Sequence, residues 1–126
     1  MSDYEPLSPL DVEAKLRGLV TEMSSAQKAL RSARDAETQA EIAYKKARAR
    51  AFHAPDVPHV TRGGVTTGER DAWIEQQVED EWSTFRLATT GREIAQDHLR
   101  VVLAIAETVR SLGASVRVAY GMAGTS

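Results

Sequence analysis

Apolar residues recur in alternating steps of three and four along the first part of the chain. The residues on this pattern are Leu16, Leu19, Met23, Ala26, Leu30, Ala33, Glu37, Ala40, Tyr44, Ala47 and Ala51. Such a heptad pattern places them on one face of an α-helix, where Glu37 is the charged member. It predicts a helix over 9–52, with Ser8 as the N-cap and with Pro9 and Asp11 in the first turn. At 1.5 Å per residue this helix would extend roughly 66 Å, so it must pair along its length.

A second heptad pattern follows a connection that interrupts helix geometry. Residues 53–65 contain two prolines and a Gly-Gly pair, which favour a loop. Thr66 and Glu69 then have the spacing of a capping box, which predicts a helix over 66–112. Its apolar face comprises Ile74, Val78, Glu81, Phe85, Ala88, Arg92, Ala95, Leu99, Val102, Ala106 and Val109.

Some boundaries stay open at this level. Thr89-Thr90-Gly91 could interrupt the second helix and give three helices in place of two, because β-branched residues and glycine are weak helix formers. Gly113 marks either the end of the helix or a weakly helical position within it. Residues 113–126 are predicted to form a short C-terminal segment. Residues 1–8 are predicted to be a loose arm.

The two helices are similar in length and joined by a short connection, so antiparallel pairing is expected. The sequence therefore predicts an all-α fold: a long antiparallel helical hairpin, similar to a coiled coil, in one domain over 1–126. The alanine-rich first helix cannot cover the large side chains of the second, which predicts assembly into an oligomeric helical bundle. The candidate interface joins these large side chains with the charged members of the two faces. It comprises Trp73, Trp82, Phe85, Leu87, Glu37, Glu81 and Arg92.

Charged residues within a heptad face commonly set register or partner choice. The alternative for Glu37, Glu81 and Arg92 is that each extends to solvent from a loosely packed bundle.

The composition supports helices more than a thick core. Hydrophobic residues make up 42% of the chain but aromatic ones only 6%, and the 27% of charged residues leave a formal net charge of −2. The absence of cysteine excludes disulfides and thiolate catalysis and suits a reducing cytosol. The acidic N-terminus lacks the features of a signal peptide, and no apolar run approaches the ~20 residues of a membrane span. A cytoplasmic location without membrane contact is expected.

Candidate chemistry is weak throughout the chain. The loop residues His53, Asp56 and His59 could in principle hold a metal, but a solvated loop is the better interpretation. Residues 63–69 have the two glycines of a phosphate loop, yet Glu69 occupies the position of its lysine and would repel phosphate. The sequence therefore predicts no catalytic, cofactor-binding or metal-binding residues, and no enzymatic activity.

The charge distribution is uneven around the predicted loop. Residues 45–70 hold six basic and two acidic side chains, whereas residues 71–97 hold seven acidic side chains and two arginines. A basic hairpin tip could contact nucleic acid, although cations at a helix C-terminus also complement the helix dipole. The candidate nucleic-acid contacts are Lys45, Lys46, Arg48, Arg50, Arg62 and Arg70.

Three segments carry a resemblance to a known group of proteins. AEIAYKKARARAF closes the first predicted helix, TTGERDA opens the second, and VRSLGASVRVAYGMAG lies near the C-terminus. They resemble small alanine-rich helical proteins of phages and prophages, often encoded near recombination and replication genes. The loop of this chain is longer than theirs and carries two prolines. The resemblance implies no catalytic residues, and it implies a helper or inhibitor of DNA-processing proteins in the host cytoplasm.

The resulting hypothesis is a non-enzymatic helical interaction protein that self-associates and binds a protein partner in recombination, replication or host takeover. One alternative is a structural or assembly component of a virion. Another is a nucleic-acid binder that uses the basic hairpin tip.

Overall fold

In the computed structural model, residues 8–124 are described, and they form three α-helices. Helix α1 covers Pro9–Phe52, α2 covers Thr67–Gln77 and α3 covers Glu79–Gly124. The predicted all-α fold is confirmed, and α1 and α3 pack against each other as in a helical hairpin. Of the loose arm predicted over residues 1–8, all but Ser8 lies outside the described residues.

Side-chain caps open α1 and α2 where the sequence predicts them. The Ser8 Oγ accepts a hydrogen bond from the backbone N–H of Asp11 at 3.1 Å, and the Ser8 N–H donates to the Asp11 carboxylate at 3.2 Å. These contacts with the side chain and backbone of Ser8 lower the pKa of Asp11. At α2, the Thr66 Oγ1 accepts from the N–H of Glu69 at 3.1 Å. Both caps satisfy backbone donors that have no partner within a first helical turn.

The second predicted helix is interrupted at Val78 and not near Gly91. Val78 has φ −113° and ψ 19°, and its N–H donates to the carbonyl of Glu75 instead of continuing the α-helical pattern. Gly91 lies exposed inside α3, so the predicted possibility of a break at Thr89–Gly91 is wrong. A single glycine costs a helix only about 1 kcal/mol, which the packed face of α3 offsets.

The C-terminal part of the chain is also more helical than predicted. Helix α3 does not end near residue 112 but continues through Gly113 to Gly124. Residues 113–124 therefore belong to this helix and do not form a separate short segment. Gly113 is buried, so the packing of its helix face continues across it.

The chain divides into two compact units. The terminal unit comprises Met1–Leu30 and Ala95–Ser126, and the loop unit comprises Arg31–Ile94. The core of the terminal unit consists of Val12, Leu19, Ala106 and Val109, with Leu16, Met23 and Val116 packed against it. The core of the loop unit consists of Ala47, Ala51, Ile74 and Val78, with Tyr44, Val57 and Trp73 packed against it.

Burial follows the two predicted apolar faces closely. Every residue of both faces is buried or half-buried, including the charged members Glu37, Glu81 and Arg92. Within α1, almost every position outside this face is exposed, apart from buried Val12 and half-buried Glu41. The two predicted faces are thus confirmed residue by residue. Each unit buries one stripe of α1 and no more.

Candidate interaction surfaces

The large side chains of the predicted interface separate into covered and uncovered groups within the loop unit. The Phe85 ring stacks against Tyr44, with centroids 6.0 Å apart, and Trp73 packs against the core of that unit. Trp82 and Leu87, by contrast, remain 46% and 74% exposed. Of the four apolar candidates, only the last two remain largely free to contact a partner.

Glu37 and Arg92 form an ion pair between α1 and α3 in the loop unit. The Arg92 Nε lies 3.2 Å from both carboxylate oxygens of Glu37, and the two side chains are only 22% and 27% exposed. Arg92 takes part in a further interaction besides this pair. A half-buried charged pair of this kind favours one alignment of two helices, because a shifted alignment would leave both charges desolvated without each other.

A second polar contact between helices involves residues that sequence reasoning did not connect. The Tyr44 hydroxyl lies 3.2 and 3.3 Å from the two carboxylate oxygens of Glu75, and Arg48 forms an ion pair with the same carboxylate. The Arg48 Nη1 also donates to the Tyr44 hydroxyl at 3.3 Å, and this hydrogen bond raises the pKa of Arg48. Tyr44 and Arg48 are four residues apart on α1, so both reach α2 on one side.

The six basic candidates for nucleic-acid contact are not equivalent. Lys45 pairs with Glu41 at 2.9 Å, and Arg48 belongs to the contact with Glu75. Arg70 stacks its guanidinium over the Phe52 ring at 5.2 Å from the centroid. Arg70 is half-buried, whereas the other five are exposed, and they are Lys45, Lys46, Arg48, Arg50 and Arg62. Three of the six thus make contacts within the loop unit, and Lys45 and Arg48 keep 71% and 44% of their side chains exposed while doing so.

A further apolar surface lies on α3, and sequence reasoning missed it. In the terminal unit it comprises His98, Val101, Ile105, Thr108 and Leu112, hereafter the second face. Val101, Ile105 and Leu112 are 55%, 43% and 47% exposed. The residues repeat the three-four spacing of the buried face one position earlier, so the second face lies about 100° around the helix from it. That shifted repeat is the sequence signal that could have revealed this surface.

The same shifted repeat is present in the part of α3 that belongs to the loop unit. Leu87 and Ile94 occupy it there, and they are 74% and 65% exposed. The predicted interface residue Leu87 therefore belongs to this second repeat, whereas Phe85 belongs to the buried one.

The described residues contain no group of three or more histidine, aspartate or glutamate side chains that could hold a metal ion. His53, Asp56 and His59 are exposed around the loop. A groove of about 230 Å³ in the terminal unit is lined by apolar residues with Glu13, Arg110 and Arg117, and it contains no nucleophile or histidine. None of the helices in the described range combines the length and apolar character needed to cross a bilayer.

Comparison with known proteins adds no relative. No protein-family model matches the chain, and no curated protein or solved structure is significantly similar to it. The resemblance to phage and prophage proteins is therefore carried only by the three segments quoted from the sequence.

Proposed function

We propose that the chain is a non-enzymatic helical interaction protein that self-associates and binds a protein partner through apolar side chains left uncovered by its own packing. The observation that carries this proposal is the exposure of large apolar residues along α3, among them Leu87, Ile94 and Val101. Several large apolar side chains that stay exposed on one helix are typical of an interaction site.

The alanine-rich face of α1 offers little area to the helices packed against it. Four of the buried residues on that face are alanines, which bury little area themselves: Ala26, Ala40, Ala47 and Ala51. A helix packed against such a face covers one stripe of its own surface. The other apolar stripe needs a different partner, and an amphipathic helix has the matching shape and period.

The resemblance to phage and prophage proteins supports a role for this interaction in recombination, replication or host takeover, in the host cytoplasm. Direct nucleic-acid binding is less well supported, because Lys45, Arg48 and Arg70 are already engaged within the loop unit. Phosphate contacts by Lys45 or Arg48 would compete with their carboxylate partners, and affinity for DNA grows with the number of phosphates neutralised.

Light scattering across a concentration series, with and without a double-stranded DNA fragment, tests the proposal. We expect a dimer or larger assembly whose mass is unchanged by DNA. A monomer whose mass rises only with DNA would contradict the proposal and favour the basic surface. A monomer under both conditions would remove self-association from it.

A charge-reversal variant sharpens the same experiment. Replacing Lys46, Arg50 and Arg62 together by glutamate should leave the assembly intact, because these exposed side chains lie outside the apolar stripes. Loss of assembly in this variant would contradict the apolar interface. If the wild-type chain binds DNA and this variant does not, the basic surface is functional.

A further inference from the structure

We infer that the groove between α1 and α3 in the terminal unit binds a short acidic segment of a protein partner, whose carboxylates lie against Arg110 and Arg117 and whose large apolar side chains enter the groove. This inference rests on the partner-binding part of the proposed function and names the chemistry of that partner. The residues lining the groove come from both helices, and they are Pro9, Leu10, Val12, Glu13, Leu16, Arg110, Gly113 and Arg117.

The size and walls of the groove favour the side chains of a peptide over a small-molecule ligand. Its volume is about 230 Å³, whereas sites for small molecules usually enclose roughly 300–1,000 Å³. Val12 and Leu16 give it apolar walls, and Gly113 adds no side chain to fill it. A few large apolar side chains of a partner would therefore occupy it, as the anchor residues of an interface occupy pockets.

Arg110 and Arg117 lie along the same edge of α3. They are seven residues apart, which is about two helical turns and roughly 10 Å, so both side chains border the groove. Arg117 makes no ion pair with any residue that the structure describes. Arg110 pairs only along its own helix with Glu107, and these two side chains remain 63% and 69% exposed. A guanidinium has five N–H donors, so Arg110 can accept a second carboxylate as a partner.

The acidic lining residue Glu13 does not cancel these positive charges. Its carboxylate lies 3.6 Å from the guanidinium of Arg17, one turn further along α1. The groove thus combines apolar walls with the unpaired charge of Arg117. The complementary partner combines carboxylates with large apolar side chains, because a basic segment would be repelled by Arg117.

The first test measures peptide binding to the full chain by fluorescence anisotropy. One library of short fluorescein-labelled peptides contains leucine, tryptophan, aspartate and glutamate, and a matched library has lysine and arginine in place of the acids. We expect the acidic library to bind about tenfold more tightly than the basic one, and added salt should weaken this binding. Equal binding of the two libraries, or binding of neither, would overturn the inference.

The second test compares Arg117→Glu with the matched control Arg100→Glu. Both arginines are exposed on α3 in the terminal unit, but Arg100 does not line the groove. Arg117→Glu should weaken binding of the acidic library by roughly tenfold and strengthen binding of the basic one, because an attraction becomes a repulsion. Arg100→Glu should change either affinity by less than about threefold. Equal effects of the two substitutions would show a response to net charge alone and would overturn the inference.

The third test examines the apolar part of the groove. Leu10 at its rim and Val118 outside it are 76% and 61% exposed, so Leu10→Glu and Val118→Glu should both keep the helix content of the wild type in circular dichroism. Only Leu10→Glu should weaken binding of the acidic library, because it adds a negative charge beside the bound carboxylates. A loss of binding in Val118→Glu but not in Leu10→Glu would place the peptide elsewhere.

Methyl NMR of the full chain locates the bound peptide. Addition of the acidic library should shift the methyl signals of Val12 and Leu16 and leave those of Val101 and Ile105 on the second face in place. Shifts confined to the second face would overturn the inference while supporting the proposed function.

A further variant distinguishes a partner from the chain itself. Residues 1–7 include two acids together with Tyr4 and Leu7, so they share the chemistry expected of the partner. The double variant Tyr4→Ala and Leu7→Ala should bind the acidic library as the wild type does. Much tighter binding by this variant would identify the chain's own residues as the occupant and overturn the assignment to a partner.

Light scattering separates this inference from the self-association in the proposed function. A chain that assembles but binds no acidic peptide overturns the inference alone. A monomer that binds the acidic library through Arg117 supports the inference and removes self-association from the proposed function.

Discussion

The terminal unit and the loop unit both pair α1 with α3, but their helices are held together by different kinds of contact. In the terminal unit, the core is apolar, and the ion pairs Arg100–Asp97 and Arg110–Glu107 each join neighbours on one helix. In the loop unit, the core is supplemented by two polar contacts between helices, Glu37–Arg92 and Arg48–Glu75.

This difference matters for how each unit determines its alignment. Apolar contacts are non-directional, so steric fit must set the alignment of the terminal unit. The close approach of Gly113 to Val12 provides such a fit: a Cβ added to Gly113 would lie 2.7 Å from the Val12 Cγ1. In the loop unit, half-buried charges add a directional requirement that steric fit alone does not supply.

The largest expected effect concerns the core of the loop unit. Ile74 is 1% exposed between α1 and α2, and Ile74→Ala should destabilise the protein by about 2–4 kcal/mol through lost burial and a residual cavity. Thermal and urea unfolding followed by circular dichroism measure this change. The matched control is Ile94→Ala at a 65% exposed position of the same unit, which should change stability by about 0.5 kcal/mol or less. Equal effects would contradict the role of Ile74 in the core of this unit.

A smaller effect tests steric fit in the terminal unit. Gly113→Ala should destabilise the protein by about 1–3 kcal/mol, because the stiff side chain of Val12 cannot move away freely. Combining it with Val12→Ala should recover part of this loss. Gly91→Ala is the control: its Cβ would meet nothing within 4 Å, so better helix propensity should stabilise by about 0.5–1 kcal/mol. A neutral Gly113→Ala would refute the role of close approach.

The polar contacts of the loop unit should show a measurable coupling. A double-mutant cycle of Glu37→Ala and Arg92→Ala should give a coupling energy of about 1 kcal/mol, reduced at high salt. The cycle isolates this pair from the other interaction in which Arg92 takes part. The exposed pair Arg17–Glu13 in the terminal unit is the comparison, and it should give a clearly smaller coupling. Equal couplings would mean that burial does not strengthen the pair between helices.

The smallest effect concerns the cap of α1 in the terminal unit. The folded chain binds the Asp11 proton less readily than the unfolded chain, because Ser8 lowers the pKa of Asp11 below its ordinary 3.8. The stabilising contribution is therefore fully present above the ordinary pKa and is lost as pH falls through the lowered pKa. In urea unfolding across a pH series, Asp11→Asn should be less stable than the wild type near neutral pH, and this difference should vanish in acid. A difference that persists unchanged into acid would contradict the role of the Asp11 charge.

Much of the fold was predictable because the buried face and the caps are local properties of the sequence. Between Leu16 and Val109, every fully buried residue of α1 and α3 lies on the three-four spacing. The spacing missed only some half-buried positions beside that face. The caps at Ser8 and Thr66 were equally visible, since a cap depends on residues three apart.

The candidate surfaces were less predictable. Trp82 and Leu87 were candidate interface residues together with Phe85, but only the structure separates them from Phe85, which stacks on Tyr44. The second face of α3 was missed because its spacing overlaps the stronger buried pattern one position away. Exposure distinguishes the two faces, and exposure is a property of the packed chain.

The sequence by itself determined the all-α class, the extent of α1 and the stripe of each helix that is buried. These follow from periodicity and caps, which act over a few residues. Tertiary structure decided the interruption at Val78, the continuity of α3 through Gly91 and Gly113, and the polar contacts between helices. No proline or glycine lies next to Val78, whereas its 2% exposure places it in the core of the loop unit. Such features depend on which residues of a distant helix lie opposite, and no local rule supplies that information.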